Sequence, residues 1–231
     1  MRHPTKQYSF EKIKQLNIPV LAVVDVGVLS STPELISAFP DLTHYLFEPI
    51  VEWEKEITIN YKDIDYQLFQ VALTDVDGPL QMVTHSVIDG LEISHARILK
   101  DNDDAHGQLR AVDGRRLDSI FNSVAIPSPF LLKIDVDGAE INIIDGASKI
   151  LDKVSVVVVE AGIENFLDRA NKLSSYGFEL FDLVDLSYYE NRLAQFDFVF
   201  INKNLKNNLS LNLYDSGPFN FNNWENYKGG I

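Results

Sequence analysis

Cysteine is absent from the 231 residues of this chain. This absence excludes a disulfide framework, a zinc site built from thiolates and a catalytic thiol. The sequence also lacks an apolar run approaching the roughly 18 residues of a membrane span. Residues 1–15 show no apolar core of a signal peptide. We therefore predict a cytoplasmic protein without a membrane partner.

Positive charge is scarce, because 20 lysine and arginine residues stand against 34 aspartate and glutamate residues, giving a formal net charge of −14. Such a surface repels phosphate backbones, so nucleic acid is not expected as a partner. Hydrophobic residues make up 45% of the chain, enough to bury a sizeable core. The length suits one domain with small additions.

Short apolar runs at residues 20–27, 45–49, 130–138 and 154–162 are rich in β-branched residues and end in acids. Apolar character that is continuous rather than alternating is typical of parallel strands covered on both faces. Helical patterns lie between them, beginning at Thr32-Pro33, Gly138 and Glu164. This alternation predicts an α/β fold with a doubly wound, mostly parallel sheet.

Three regions divide the chain in this interpretation: an N-terminal extension at 1–19, the domain at 20–204 and an irregular, asparagine-rich tail at 205–231. Within the domain, the turn signal Asp77-Gly78 predicts a hairpin between strand-like segments. Residues 178–185 and 196–202 predict a closing pair of strands. The polar stretch 89–110, which contains His95 and His106, is a candidate lid, although loop histidines are more often simply solvated.

Acids follow several of the predicted strands. In open α/β sheets, ligands bind outside the carboxyl ends of the strands. Glu48 comes 23 residues after Asp25, near the spacing at which an acid accepts hydrogen bonds from the vicinal diol of a ribose. Acids after strands also cap helices or solvate loops, and that alternative stays open for each one. The acids at these positions are Asp25, Glu48, Asp135, Asp137 and Glu160.

Glycine is sparse in the turn after the first strand, where only Gly27 precedes Ser30, Ser31 and Thr32. A dinucleotide site uses three glycines to bring the backbone close to a pyrophosphate. The turn therefore disfavours a pyrophosphate and fits a ligand without phosphates. S-adenosylmethionine, which joins adenine, ribose and an amino acid, is such a ligand.

A longer pattern covers roughly residues 20–203 and resembles the FkbM family of S-adenosylmethionine-dependent methyltransferases. Its strongest part is the strand and helix start within residues 130–147, and the other parts follow in order along the chain. The matching residues are Asp25, Gly27, Thr32, Pro33, Glu34, Leu35, Glu48, Pro49, Ala72, Leu73, Asp75, Gly78, Leu117, Asp118, Lys133, Asp135, Asp137, Gly138, Ala139 and Glu140.

The resemblance implies a class I methyltransferase fold, with six parallel strands and one antiparallel strand, and methylation of a hydroxyl on a small-molecule or carbohydrate acceptor. Ser31 stands where the family usually has glycine, and a serine fits there if its φ is negative. The alternative is a degenerate fold that binds a partner without catalysis. The implied cofactor-binding residues are Asp25, Gly27, Val28, Ser31, Thr32, Glu48, Pro49, Ala72, Leu73 and Asp135.

Methyl transfer to an alcohol requires alignment and removal of a proton. Asp135, Asp137 and Glu160 are the candidate catalytic residues, and three roles stay open for them: a general base, oxygen ligands of a Mg²⁺ ion, or a polar wall for the acceptor. If strand geometry persists through Asp137, both aspartates point the same way. For Glu140 we expect a first-turn acid that favours the helix dipole.

Overall fold

The computed structural model describes residues 3–86, 93, 95–99, 106–204 and 217–227. Its strands are β1 Val23–Val26, β2 His44–Phe47, β3 Tyr66–Phe69, β4 Ala72–Leu73, β5 Gly78–His85, β6 His95–Ile98, β7 Gln108–Arg115, β8 Phe130–Ile134, β9 Val154–Gly162, β10 Phe178–Tyr189 and β11 Arg192–Asn202. Its helices are α1 Lys6–Gln15, α2 Pro33–Ala38, α3 Glu54–Asn60, α4 Leu117–Phe121, α5 Glu140–Gly146 and α6 Phe166–Ser175, with short 3₁₀ turns at Val51–Trp53, Leu151–Lys153 and Phe221–Asn223.

The main sheet has seven strands in the order β3-β2-β1-β8-β9-β11-β10. Strands β3, β2, β1, β8 and β9 pair in parallel, whereas β11 runs antiparallel to both of its neighbours. The predicted mostly parallel α/β sheet is therefore confirmed, as is the closing strand pair. The two residues that connect β10 to β11, Glu190 and Asn191, both have positive φ (48° and 62°). A turn of this kind fits the right-handed twist of the strands on either side.

Alternate residues of the central strands face two separate apolar layers. Val23 and Leu131 pack with Phe10 of α1 and Leu35 of α2 on one face. Val24, Leu132, Val157 and Val159 face the other layer, which contains Ile143 of α5 and Leu173 of α6. Burial of one such aliphatic side chain contributes about 1.5–3 kcal/mol. Helices on both faces explain why the central strands are mostly apolar.

The predicted hairpin around Asp77-Gly78 is wrong. Gly78 does begin a strand, but β5 pairs antiparallel with β7, and the preceding β4 pairs in parallel with the other edge of β7. The result is a second sheet of four strands in the order β4-β7-β5-β6. Local turn chemistry predicted the partner wrongly because the strand that separates β4 from β5 comes 30 residues later in the chain.

Two segments outside the predicted domain also have defined places. In α1, Phe10 and Ile13 are fully buried, and the Lys6 Nζ atom lies 2.7 Å from Asp197 Oδ2 and 3.1 Å from Asp185 Oδ2. Residues 217–227 form an irregular, exposed segment. Among the helices that the structure describes, none is long and apolar enough to cross a membrane.

Candidate active site

A cleft of about 460 Å³ lies at the carboxyl ends of β1, β2 and β8. Strands β2 and β3 lie on one side of β1 in the sheet, and β8 and β9 lie on its other side. Such a reversal of strand order leaves a crevice between the diverging loops, where open α/β sheets bind their ligands. The volume falls within the roughly 300–1,000 Å³ of small-molecule sites.

Gly27 allows the loops after β1 and β8 to meet. Its φ is +79°, and a Cβ atom built on it would lie 1.8 Å from the backbone oxygen of Asp135. Its N–H donates to the carbonyl of Phe47 at 3.0 Å, which ties the loop to β2 as well. A side chain at this position is excluded both by the left-handed backbone and by the close contact.

Ser31 lines the cleft and does not have a positive φ. Besides Gly27, the left-handed residue of this loop is Leu29, with a φ of 54°. The serine therefore places no strain on the backbone, and the non-catalytic alternative loses one of its arguments. Thr32, also in the cleft wall, precedes α2, and its N–H donates to the Tyr61 hydroxyl at 3.2 Å.

Glu48 is 5% exposed and lines the cleft just after β2. Its Oε2 accepts from the Leu29 N–H at 2.8 Å and its Oε1 from the Ile50 N–H at 2.9 Å. Burial raises the pKa of Glu48 to about 7, against the two backbone hydrogen bonds that lower it. Each oxygen keeps a lone pair, so the carboxylate can still accept two hydroxyl groups.

Asp25 lies beneath the cleft rather than in its wall. It is fully buried, opposite Lys133 in the register of β1 and β8, and its Oδ1 is 3.2 Å from Lys133 Nζ. Burial lowers the pKa of Lys133, but attraction to Asp25 and Asp135 outweighs it, so that pKa lies above its ordinary value. The geometry does not support the expected contact between Asp25 and a cofactor.

Asp135 and Asp137 both line the cleft, but not through continued strand geometry. Strand β8 ends at Ile134, and Gly138 has a φ of +87°. Asp135, whose side chain is 32% exposed, places Oδ2 3.3 Å from Lys133 Nζ. Asp137 Oδ2 instead accepts from the N–H of Ala96 on β6 at 3.1 Å. The condition for a shared direction is therefore not met.

Glu160, on β9, faces the same cleft. Burial, together with the negative charge of the neighbouring Asp135, raises its pKa to about 8. Gln195 of β11 donates its side-chain N–H to Glu160 Oε1. The structure thus brings together the three acids that the sequence proposed for catalysis, each with a different partner. Val28, Pro49, Ala72 and Leu73 also line the cleft as expected, and so does His95, whereas His106 is exposed.

Glu140 is a first-turn acid of α5, as the sequence predicted, but it also has a buried partner that the sequence did not predict. It is 2% exposed, and its Oε2 lies 2.5 Å from Arg169 Nη2 on α6. Its Oε1 accepts from the Gly138 N–H at 3.3 Å, and Arg169 Nη1 donates to the carbonyl of Glu160 at 2.5 Å. The pair links the loop after β8 to the end of β9. No local signal in the sequence announces the partner of Glu140.

The sequence left a metal site open. Among the residues that the structure describes, no group of three or more histidine, aspartate or glutamate side chains has the arrangement of a metal site. Half of the candidate lid at 89–110 lies outside the described residues, which here are 93, 95–99 and 106–110.

Comparison with solved structures finds distant similarities. A ribosomal protein L11 methylase from Lactobacillus delbrueckii subsp. bulgaricus is 12% identical, with 85% of this chain and 80% of that chain covered and a TM-score of 0.44. An S-adenosylmethionine-dependent methyltransferase from Clostridium acetobutylicum is 8% identical, with 85% and 91% covered and a TM-score of 0.46. Magnesium protoporphyrin IX methyltransferase from Synechocystis, solved with bound S-adenosylmethionine, is 8% identical, with 85% and 79% covered and a TM-score of 0.45.

Comparison with curated protein sequences finds no match. The family model described as the methyltransferase FkbM domain matches residues 24–180, about two thirds of the chain. That span runs from β1 into β10 and includes the turn at Gly27, Glu48 and all three candidate acids. The chain therefore belongs to the FkbM family of methyltransferases.

Proposed function

We propose that this protein transfers the methyl group of S-adenosylmethionine to a hydroxyl group of a small molecule or carbohydrate. One observation carries the proposal. A single cleft contains both Glu48, a buried carboxylate that can accept hydrogen bonds from a ribose diol, and the carboxyl groups of Asp135 and Glu160. The FkbM family of the chain supports the same reaction class.

The cleft fits the chemical groups of the cofactor. Glu48 offers two oxygens to the ribose hydroxyls. Ile50 and Leu73 supply apolar surface for the adenine. Trp53 also lines the cleft, and its Nε1 atom is buried without a hydrogen-bond partner among the described residues. A buried donor without a partner is costly, so a ring nitrogen of adenine would satisfy it.

When bound, the cofactor supplies a methyl group on a positively charged sulfur, which becomes a neutral thioether once an acceptor oxygen takes the methyl. The protein must hold that oxygen in line and accept its proton. Asp135 and Glu160 are the two carboxyl groups proposed to accept the proton, and each attracts a cationic ligand when it is ionised. A base whose pKa lies near the working pH is the most effective, which suits Glu160 at a working pH near 8.

Isothermal titration calorimetry with S-adenosylmethionine, S-adenosylhomocysteine and NAD tests the proposal. We expect the first two ligands to bind and NAD not to bind, because the turn after β1 lacks the glycines of a pyrophosphate site. Binding of NAD without S-adenosylhomocysteine would contradict the proposal. A Trp53→Phe variant, which keeps an aromatic ring but removes the N–H, should bind S-adenosylhomocysteine about two- to tenfold more weakly than the wild type.

A further inference from the structure

Glu160 has a second acid as its direct neighbour in the main sheet. It is the partner of Asp197 in the antiparallel register of β9 and β11. The register pair two positions earlier, Val158 and Val199, packs with Phe10 of α1. Because side chains alternate along a strand, Glu160 and Asp197 lie on that same face. Cβ atoms of such directly opposed residues are about 4.5–5.5 Å apart.

Asp197 carries a negative charge that Lys6 of α1 holds in place. Asp197 is 4% exposed, and the Lys6 Nζ atom lies 2.7 Å from its Oδ2 and 3.1 Å from Asp185 Oδ2. Burial raises the pKa of Asp197, and the attraction of Lys6 opposes that rise. Its Oδ1 is buried without a hydrogen-bond partner among the described residues. Since one ammonium group serves two carboxylates, net negative charge remains beside Glu160.

Charged groups face Glu160 from every element packed around it. Two of the cations, Lys133 and Arg169, are already paired with other acids. Burial raises the pKa of Glu160 to about 8, with the charges of Asp135 and then Asp197 adding to the effect of burial. The groups around it are Lys133 and Asp135 at the end of β8, Asp137 in the loop that follows, Glu140 of α5, Arg169 of α6, His95 and Arg97 of β6, and Asp197 of β11 with Lys6 of α1.

We propose that Asp197 is a positioning residue for proton transfer and that its negative charge, held next to β9 by Lys6, makes Glu160 a stronger base. The inference rests on the proposed function, in which a carboxyl group receives the proton that leaves the acceptor oxygen. An ionised neighbour disfavours a second negative charge on Glu160, so it favours the form of Glu160 that has taken up the proton.

The position of Asp197 separates it from the binding of ligands. Asp197 is not among the residues that line the cleft, so its effect on the reaction passes through Glu160. Both Asp197 and Lys6 also lie outside residues 24–180, the span that the family model matches. The N-terminal helix and the closing strand β11 therefore adjust a base that the matched span supplies.

Carbon-13 NMR of the side-chain carboxyl groups tests the inference on the protein without any ligand. The signal of Glu160 is assigned by its absence from the spectrum of Glu160→Gln, and its chemical shift is followed between about pH 5 and pH 10. We expect a midpoint of about 8 for the wild type. Asp197→Asn keeps the shape of the side chain but removes its charge. This change should lower the midpoint by about one pH unit, because the ionised form of Glu160 then has no like-charged cross-strand neighbour.

Asp185→Asn is the matched control, because it removes the other carboxylate that Lys6 contacts. The asparagine oxygen can still accept from the backbone N–H of Lys6, as Asp185 Oδ1 does at 3.3 Å. The φ of 52° at this position is one that asparagine tolerates. Since Asp185 pairs with no residue of β9, the midpoint of Glu160 should stay at its wild-type value in this variant.

An unchanged midpoint in a folded Asp197→Asn protein, or an equal decrease in Asp185→Asn, would overturn the inference. Asp197→Ser removes the same charge and replaces Asp197→Asn if that variant does not fold. The wild type gives an independent check, because a Glu160 signal that no longer changes above about pH 6 would also overturn the inference. Failure of S-adenosylhomocysteine to bind would instead overturn the proposed function, and it would leave the titration unaffected.

Discussion

The cleft has two halves, which are built over very different distances along the chain. The cofactor half, around Glu48, is the part proposed to hold the cofactor, and the acceptor half, around Asp135, Asp137 and Glu160, is the part proposed to hold the acceptor. In the cofactor half, Glu48 bonds to backbone amides 2 and 19 residues away. In the acceptor half, the side-chain bonds that position Glu140, Glu160 and Asp137 span 29, 35 and 41 residues. A site made within one strand–loop–helix unit is visible in sequence. A site made where distant elements meet depends on the whole fold.

Gly27 gives the largest expected effect, because it joins both halves. Gly27→Ala places a methyl group on the Asp135 carbonyl in a left-handed backbone and should prevent stable folding. Gly138→Ala is the matched control, since its φ is also positive but no atom lies within 4 Å of the added carbon. We expect a cost of only about 1 kcal/mol there. If chemical denaturation gave the same free energy of unfolding for Gly27→Ala and Gly138→Ala, the close contact between Gly27 and the Asp135 carbonyl would be contradicted.

Asp135→Asn tests the acceptor half alone. Loss of a general base should lower turnover by about 10²-fold or more, while the melting temperature and the affinity for S-adenosylhomocysteine change little. Asp113→Asn, on the exposed face of β7, serves as the control. A stable Asp135→Asn protein with full turnover would leave this acid with a structural role.

Treatment of the wild type with EDTA separates a general base from a bound metal ion. Activity that is lost with EDTA and restored by Mg²⁺ indicates a bound cation, and activity that EDTA does not change indicates a general base.

The pH dependence of ligand affinity provides a test that is specific for the cofactor half. The pKa of Glu48 is about 7, and only the ionised form accepts both ribose hydroxyls. Affinity for S-adenosylhomocysteine should therefore fall by about tenfold for each pH unit below 7. Calorimetry between pH 5.5 and 8 measures this slope, and the Glu48→Gln variant should show none. A wild-type affinity that is independent of pH would argue against the ribose contact.

Ser31→Gly should have the smallest effect. Because Ser31 does not use a left-handed backbone, we expect a change in S-adenosylhomocysteine affinity of less than about threefold. Ser30→Gly, in the same loop but outside the cleft wall, controls for the added flexibility of glycine. A loss of binding in Ser31→Gly alone would show that the serine hydroxyl contacts the ligand.

The accuracy of the sequence interpretation follows the same division. The positions of Gly27, Glu48 and Asp135 followed from strand ends and a topological rule, and the structure brings them to one cleft. The pairs Lys133–Asp25, Glu140–Arg169 and Gln195–Glu160 did not follow, because the two partners of each pair lie on elements far apart along the chain. The predicted hairpin at Gly78 failed for the same physical reason, since strand β7, which separates β4 from β5, is not local.

Asp25 adds a different lesson. An acid at the end of β1 was expected in the cleft, but Lys133, its neighbour on β8, holds it beneath the floor. A sequence shows that a strand ends in an acid, but the register with the neighbouring strand decides which group pairs with that acid. Pairing between adjacent strands is a property of the sheet rather than of either segment.

The central claim is that Glu48 holds the ribose of S-adenosylmethionine in this cleft. The most direct test is a calorimetric titration of S-adenosylhomocysteine into the wild type and the Glu48→Ala variant at pH 8, with melting curves to verify folding. The account predicts that the wild type binds and that Glu48→Ala loses about 1–3 kcal/mol of binding free energy. A folded Glu48→Ala protein that binds as tightly as the wild type would contradict it.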